Sequence, residues 1–315
     1  MACSIKGAKD CRKLYRRGEM LFSTIAFALL FDALVWATPV LWEGRAPYNY
    51  TEADIDESIG PYFRARIHLQ YFQFLGHALL TTPIWPVPEQ AIRTVIDNSS
   101  IFTPGSSAPQ LGFRRSEIIA QPSESGNRTA FDAILESGVT AFHFSLKTDK
   151  ALPLNYSHEY QGVWIEPNDG SHIFDLQITS KLTPATHVLG IRAHNGTVLF
   201  QTPFHSIEWH NFAVVVDWDN LTLKVFYSLG ARPLKAVTKV EENSSAVKGP
   251  SGQGEFHFGV LKLPLVDPSE TPAEQADVVH FGIQEGSCEA LIYSGIFVES
   301  TQDGISIGYG NTMSV

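Results

Sequence analysis

Cysteine and charge are scarce in this chain, and positive charge is scarcer than negative. Only three cysteines occur among 315 residues, which excludes a small disulfide-stapled scaffold. Charged side chains make up 18% of the sequence and hydrophobic ones 44%, a balance too apolar for a disordered chain and sufficient for a large core. Lys and Arg number 23 against 33 Asp and Glu, a formal net charge of −10. A surface of that sign repels a phosphate backbone, so nucleic-acid binding is excluded as a main function. Heptads, fixed-period repeats and long helical tracts are missing, which removes coiled coils and solenoids. Gly-x-Ser-x-Gly, His-Glu-x-x-His and the phosphate-binding loop are absent, and the 11 histidines show no zinc-type spacing. Neither a metal nor a cofactor is expected.

One apolar run breaks the pattern. Lys6, Lys9, Arg12, Lys13, Arg16 and Arg17 precede a mostly apolar stretch from Leu21 to Ala37 that ends in small residues. This order reads as a secretory signal peptide, residues 1–37, with cleavage after Ala37 and Met20 as a possible true start. The run is short for a membrane span and contains Asp32, so a secreted, extracellular protein without stable membrane association is expected, an uncleaved anchor being the alternative. Removing this leader takes Cys3 and Cys11 with it and leaves Cys288 without an internal partner, as a small apolar side chain. Seven Asn-x-Ser/Thr sequons, at Asn49, Asn98, Asn127, Asn155, Asn195, Asn220 and Asn243, point to a secreted glycoprotein.

From about residue 110 onward, alternating or β-branched runs are separated by clusters of Gly, Pro, Asn, Asp and Ser. Strands are expected near 112–120, 139–147, 157–166, 172–178, 187–193, 197–202, 211–217, 221–228, 254–263, 278–283 and 290–298. The segments 241–253 and 266–277 read as surface loops. No long helix intervenes to serve as a parallel crossover, so the expected fold is all-β: an antiparallel β-sandwich of jelly-roll type with an open groove. Neither loop has the length of a linker, and residues 38–315 are expected to form one domain acting as a monomer.

Alternation sorts the polar residues by face. In Arg114–Ile119, Arg115 shares a face with Glu117, where a guanidinium favours the ionised carboxylate. A cross-strand ion pair on a solvated face would read the same way. Ser157, Glu159 and Gln161 share one face of the next candidate strand, with His158, Tyr160 and Trp164 on the other. His143 lies opposite Phe142, Phe144 and Leu146, and His257 opposite Phe256, Phe258 and Val260. Such polar faces on adjacent strands would make a carbohydrate-sized groove, or simply a wetted surface. Two carboxylates on different strands, Glu117 and Glu159, meet the requirement of glycosidic cleavage for one proton donor and one base or nucleophile. Gln161 is then placed to contact substrate.

Six ordered segments carry a resemblance: Val40–Arg45, Phe113–Glu117, Phe142–Lys147, Ser157–Gln161, Trp209–Ala213 and His257–Pro264. Together they resemble the catalytic module of glycoside hydrolase family 131, the secreted fungal β-glucanases, over residues 40 to 300. The resemblance implies a β-jelly roll with a broad groove, action on β-1,3-, β-1,4- and β-1,6-linked glucans, and inversion of the anomeric centre. It places the two candidate catalytic glutamates at Glu117, in the Arg-Arg-x-Glu motif, and at Glu159, in Ser-His-Glu. Arg115, His143 and His257 match positions that line the groove. The stretch from Arg64 to Gln73 departs from the family pattern. No separate binding module follows residue 300, so binding to a β-glucan is expected to rest on the groove alone. The reading is a secreted β-glucanase with Glu159 as acid and Glu117 as base; the alternative is a noncatalytic, lectin-like glucan-binding jelly roll.

Overall fold

The computed structural model describes residues 38–55, 63–66, 71–76, 81–85, 87–105, 107–122, 127–183, 186–205, 207–246, 254–285 and 288–315. The expected leader, with Met20 and the cleavage point, lies outside these residues, as does 67–70 within the divergent stretch. In chain order the strands are β1 (Val40–Glu43), β2 (Phe63–Arg66), β3 (Phe72–Phe74), β4 (Ile92–Ile96), β5 (Arg114–Ala120), β6 (Val139–Thr148), β7 (Tyr160–Glu166), β8 (Phe174–Thr183), β9 (Thr186–Ala193), β10 (Val198–Pro203), β11 (His210–Asp217), β12 (Thr222–Leu229), β13 (Lys235–Ala236), β14 (Glu241–Glu242), β15 (Glu255–Lys262), β16 (Glu289–Ser300), β17 (Ile305–Gly308) and β18 (Asn311–Met313). Helices are short: α1 (Arg128–Leu135), α2 (Pro272–Ala276) and α3 (Val278–Phe281). No helix among the described residues is long and apolar enough to cross a membrane.

Two open antiparallel sheets face each other in a jelly-roll sandwich. One has nine strands, ordered β13-β12-β11-β6-β16-β4-β3 with β1 beside β16 and β14 beside β12; the other has seven, ordered β10-β9-β8-β7-β15-β5-β2. Alternation explains the core between them. Phe142, Phe144 and Leu146 of β6 meet Phe174, Leu176 and Ile178 of β8 and Phe256, Phe258 and Val260 of β15, all of them buried. Phe142 lies edge-on to Phe256 and Phe174, and Phe144 stacks on Phe212 at 5.3 Å between ring centres.

The outer face of the nine-stranded sheet is also covered. Ile84 and Trp85, before β4, and Ile305 of β17 pack there on Ala141, Ala213, Val215, Phe226 and Phe297. This second core leaves the outer face of the seven-stranded sheet as the place for a site.

Two of the irregularities in strand register bear on the site. In β16 the register shifts between Ser294 and Phe297, and Gly295 takes φ +62°, a conformation that costs glycine nothing sterically. Its N–H donates to both carboxylate oxygens of Glu89, at 3.1 and 3.0 Å, and Ser294 Oγ donates to the same group at 3.0 Å. The second bulge lies in the facing sheet, between Phe258 and Leu261 of β15 and between Gln161 and Val163 of β7. Tyr293, buried on β16, reaches across the core to it, its hydroxyl 2.9 Å from Gly162 O and 2.5 Å from Gly259 O.

Three expectations are corrected. Residues 278–283 do not form a strand: Val278–Phe281 is helical, with Asp277 O accepting from Phe281 N, and only Ile283 bridges to Leu265. A four-residue apolar run is too short for periodicity to separate helix from strand. Within the expected loops, β14 occupies 241–242 and α2 occupies 272–276, started by a capping box between Thr271 and Glu274. Cys288 is disulfide-bonded rather than a free small side chain, its partner lying outside the described residues.

Glu89 gives this fold a measurable pH signature. Burial raises its pKa from 4.5 to about 7, against the opposing Gly295 N–H and Arg45. The native state therefore holds a proton that the unfolded chain releases, and stability falls as pH rises from about 4.5 to about 7. Relative to wild type, Glu89→Gln is expected to gain roughly 3 kcal/mol in unfolding free energy between pH 5 and pH 8. Urea denaturation of both proteins at the two pH values measures it; an equal pH dependence would refute the assignment.

Candidate active site

The register of the seven-stranded sheet assembles the site. Glu117 on β5 pairs with Gly259 on β15, and an added Cβ at Gly259 would come 2.5 Å from Glu117 Cα and 2.3 Å from Ser116 O. Only glycine allows the two strands to close at that point. Core-facing Ser116, Ile118 and Ala120 alternate with Arg115, Glu117 and Ile119, so Arg115 and Glu117 share the outer face, as alternation predicts.

Arg115 grips Glu117 with two hydrogen bonds, Nη2 to Oε1 at 2.6 Å and Nε to Oε2 at 3.1 Å, and Nη2 also approaches Glu166 Oε2 at 3.4 Å. The guanidinium lies between the rings of Phe102 and Trp164, 5.0 and 5.7 Å from their centres. His257 stacks on Trp164 at 5.0 Å, with Nδ1 3.7 Å from Glu117 and Nε2 3.9 Å from Glu166 and 3.7 Å from Glu255. Glu117 and His257 are wholly enclosed, whereas the Glu166 and Glu255 side chains are 23% and 29% exposed. Burial alone would raise the Glu117 pKa; Arg115 and His257 overcome it and hold the carboxylate down at about 2. Burial lowers the pKa of His257, favouring a neutral ring.

Glu159 stands at the start of β7, on the other side of β15. Its carbonyl accepts from Leu263 N, and Gln177 Nε2 donates to its Oε2 at 2.6 Å. The surrounding turn is anchored on both sides. His158 Nδ1 donates to Leu263 O at 2.8 Å. Tyr160 points inward and donates to Glu289, which is paired with Lys262 at 2.6 Å. Glu117 and Glu159 are thus on strands flanking β15, their backbones at least two strand spacings, ~10 Å, apart. Gln161 joins the same outer face, opposite Leu261 and Gln177.

His143 does not join them. It is on β6 of the other sheet, where its Nε2 donates to Glu299 at 2.9 Å and its ring stacks on Phe297 at 4.2 Å, fully buried under Trp85. Glu299 also binds Thr38 and Ser306, so this cluster ties the segment before β1, and β17, to β16. Alternation had placed it on a polar face correctly but could not say which sheet that face belonged to. Trp164 is corrected in the opposite sense. The bulge at Gly162 adds a residue and inverts parity, so Trp164, with Glu166, lies on the face of Gln161. Glu166, Asp175 and Gln177 belong to this face as well and were not singled out from the sequence. The alternation of Asp175 and Gln177 with Phe174, Leu176 and Ile178 was the available signal. Among the described residues no cluster of His, Cys, Asp or Glu could hold a metal ion.

Carboxylates and a guanidinium thus gather on the outer face of the seven-stranded sheet of an open antiparallel jelly roll. Residues 40–304 match the model of the glycoside hydrolase 131 catalytic N-terminal domain, and the chain belongs to that family of glycoside hydrolases. Among solved structures it is similar to a GH131 β-glucanase catalytic domain from Podospora anserina, at 20% identity and a TM-score of 0.64, covering 87% of this chain and 100% of that one. It is also similar to the catalytic domain of the glycoside hydrolase family 131 protein from Coprinopsis cinerea, at 21% identity and a TM-score of 0.62, covering 87% and 99%. A search of curated proteins finds no match.

The Arg115–Glu117 pair is testable as such. Removing one partner of a buried ion pair leaves an uncompensated charge, so Arg115→Met is expected to cost roughly 3–5 kcal/mol at pH 7. Adding Glu117→Gln to it should recover most of that loss, because the orphaned charge is gone. Additive losses in the double variant, read by denaturation at pH 7, would contradict the pairing.

Proposed function

We propose that this chain is a secreted β-glucanase that cleaves β-1,3/1,6- and β-1,4-linked glucans with inversion, using Glu117 as base and Glu159 as acid. The observation that carries the reading is the placement of these carboxylates either side of β15, on the outer face of the seven-stranded sheet, with Arg115 holding Glu117 ionised. A base must be ionised before it can take a proton from water. In the proposed step Glu117 removes that proton while the water oxygen attacks the anomeric carbon. Glu159 donates its proton to the departing glycosidic oxygen, so each turnover leaves the two carboxyls with exchanged protonation, restored through solvent. Inversion needs room for the water, carboxyls roughly 6.5–9.5 Å apart, whereas a retaining pair sits at roughly 5–5.5 Å. The two backbones lie ~10 Å apart across the sheet and ~13 Å apart along β15, which favours the wider case over the retaining one. Arg115, His257 and Gln161 are the substrate-side neighbours in this reading.

The complete enclosure of Glu117 favours one rival, a noncatalytic glucan-binding jelly roll in which Arg115–Glu117 is a structural ion pair. Product release from laminarin, mixed-linkage glucan and cello-oligosaccharides decides between them. Hydrolysis that falls by at least 100-fold in both Glu117→Gln and Glu159→Gln, with a product of inverted anomeric form by NMR, is expected. Oligosaccharide binding without release by the wild type would establish the rival.

Secretion is part of the proposal and has its own readout. Asn49, Asn98, Asn127, Asn195 and Asn220 are exposed, whereas Asn243 is buried, its Nδ2 donating to Ile173 O and its Oδ1 accepting from His194 N. Glycopeptide mass spectrometry of protein from culture medium is expected to find sugar at exposed sequons and none at Asn243.

A further inference from the structure

Beyond the carboxylates, the outer face of β7–β10 carries a second pattern. Register places Gln161 beside Gln177, Gln177 beside Gly190, and Gly190 beside Gln201, so three amides and one glycine form a single row across four strands. In the neighbouring row Trp164 is followed by Asp175 and then Arg192. Asp175 and Arg192 are joined by two hydrogen bonds of 2.9 Å, and the Arg192 side chain is 22% exposed.

Gly190 is the informative position. Its φ is not positive, and an added Cβ would meet nothing nearer than Phe200 O at 3.6 Å and Val198 Cγ1 at 3.8 Å, ordinary contacts. The fold therefore does not require glycine there. Glycine inside a strand gives up side-chain packing and costs conformational entropy, and it commonly marks close approach by a ligand or another backbone. On this face it leaves the row between Gln177 and Gln201 without a side chain of its own.

We propose that Gln161, Gln177, Gly190 and Gln201, with the Asp175–Arg192 pair, form a run of subsites for the unreacting sugars of a neutral β-glucan laid across β7–β10. This rests on the glucan-hydrolysing reading of the same face. A primary amide offers two donors and an acceptor without net charge, which matches the mixed donor and acceptor character of sugar hydroxyls. An anionic polysaccharide would meet the partly exposed carboxylates of Glu159, Glu166 and Glu255, and like charges close together are unfavourable. Gln177 connects the run to the reaction, because it donates to Glu159. A chain held along the amide row is thereby aligned with the proposed acid.

The test uses the Glu117→Gln protein, which should bind without turnover, and the same protein carrying Gly190→Leu. Calorimetry with cellobiose, cellohexaose, laminarihexaose and oligogalacturonate supplies the affinities. In the Gly190→Leu form the added side chain is expected to reduce the preference for hexasaccharide over disaccharide roughly tenfold, the worth of one or two lost hydrogen bonds. An unchanged preference, no glucan binding at all, or oligogalacturonate binding as tightly as cellohexaose would overturn the proposal. Should Gly190→Leu fail to show a cooperative unfolding transition, Gln201→Ala, on an exposed side chain, is expected to lower the same preference several-fold. If wild-type protein cleaves nothing but loses this preference on substitution, the subsites stand and the hydrolytic reading falls. If it cleaves glucan and the preference is unmoved, the reverse holds.

Discussion

The hydroxyl of Tyr293 lies between the two sheets against the carbonyls of Gly162 and Gly259, and the orientation of the active face follows from that contact. A bulge leaves backbone groups without ladder partners, and buried carbonyls without a donor are costly. Tyr293 supplies the donor from the opposite sheet, so the bulge becomes part of the folded state and its consequences are fixed. One consequence is the inversion of parity that moves Trp164 and Glu166 onto the outer face. Beside it, β5 and β15 approach closely at Glu117 in unbroken register, which the missing side chain of Gly259 permits. Trp164 then backs both His257 and Arg115, and Arg115 holds Glu117. Four polar or aromatic side chains are thereby positioned by one phenol that never reaches the surface.

Buried carboxylates recur through this sandwich, each satisfied in a different way. Glu117 has a guanidinium, Glu289 an ammonium and a phenol, Glu299 an imidazole with hydroxyls, and Glu89 backbone and hydroxyl donors near Arg45. The partner decides the protonation state. A formal cation beside Glu117 outweighs burial, whereas neutral donors at Glu89 do not, so the same residue type is held at about 2 on one sheet and at about 7 in the segment packed against the other. Charge at the active face is therefore a local property of Arg115, not a reflection of the acidic chain as a whole.

The sequence made faces legible but not sheets. Period-two alternation identified β5–β12, β15 and β16 to within a few residues, because each sets large apolar side chains against polar ones. It put Arg115 with Glu117 and His257 opposite Phe256 and Phe258 for the same reason. It erred at Trp164, where one inserted residue reversed the count, and no local propensity announces a bulge beyond the presence of glycine. His143 failed differently: its polar face exists, but the segment containing Ile84 and Trp85 folds over it and makes a second core. That covering depends on long-range packing that a strand's own sequence does not encode. Short strands such as β1, β3 and β4 escaped notice because three to five residues carry too little alternation to register.

The geometry of the sheet constrains the chemistry more tightly than the identity of the side chains does. Two glutamates on adjacent strands can approach closely enough to share a sugar's anomeric carbon directly, whereas two on strands separated by a third have a lateral gap of ~10 Å to fill. Side chains leaning inward shorten that gap, and a water molecule between substrate and base occupies part of what is left. Glu117 leans on Arg115 and Glu159 on Gln177, so neither is at liberty to close the gap further without breaking a hydrogen bond of 2.6 Å. The intervening strand β15 contributes Gly259 at the row of Glu117, where a larger residue would part the strands, and Leu263, just past its end, stands at the row of Glu159. On the proposed reading acid and base are separated both by β15 and by the stagger along it, from Gly259 to Leu263, and that separation is set by the topology and register of the sheet.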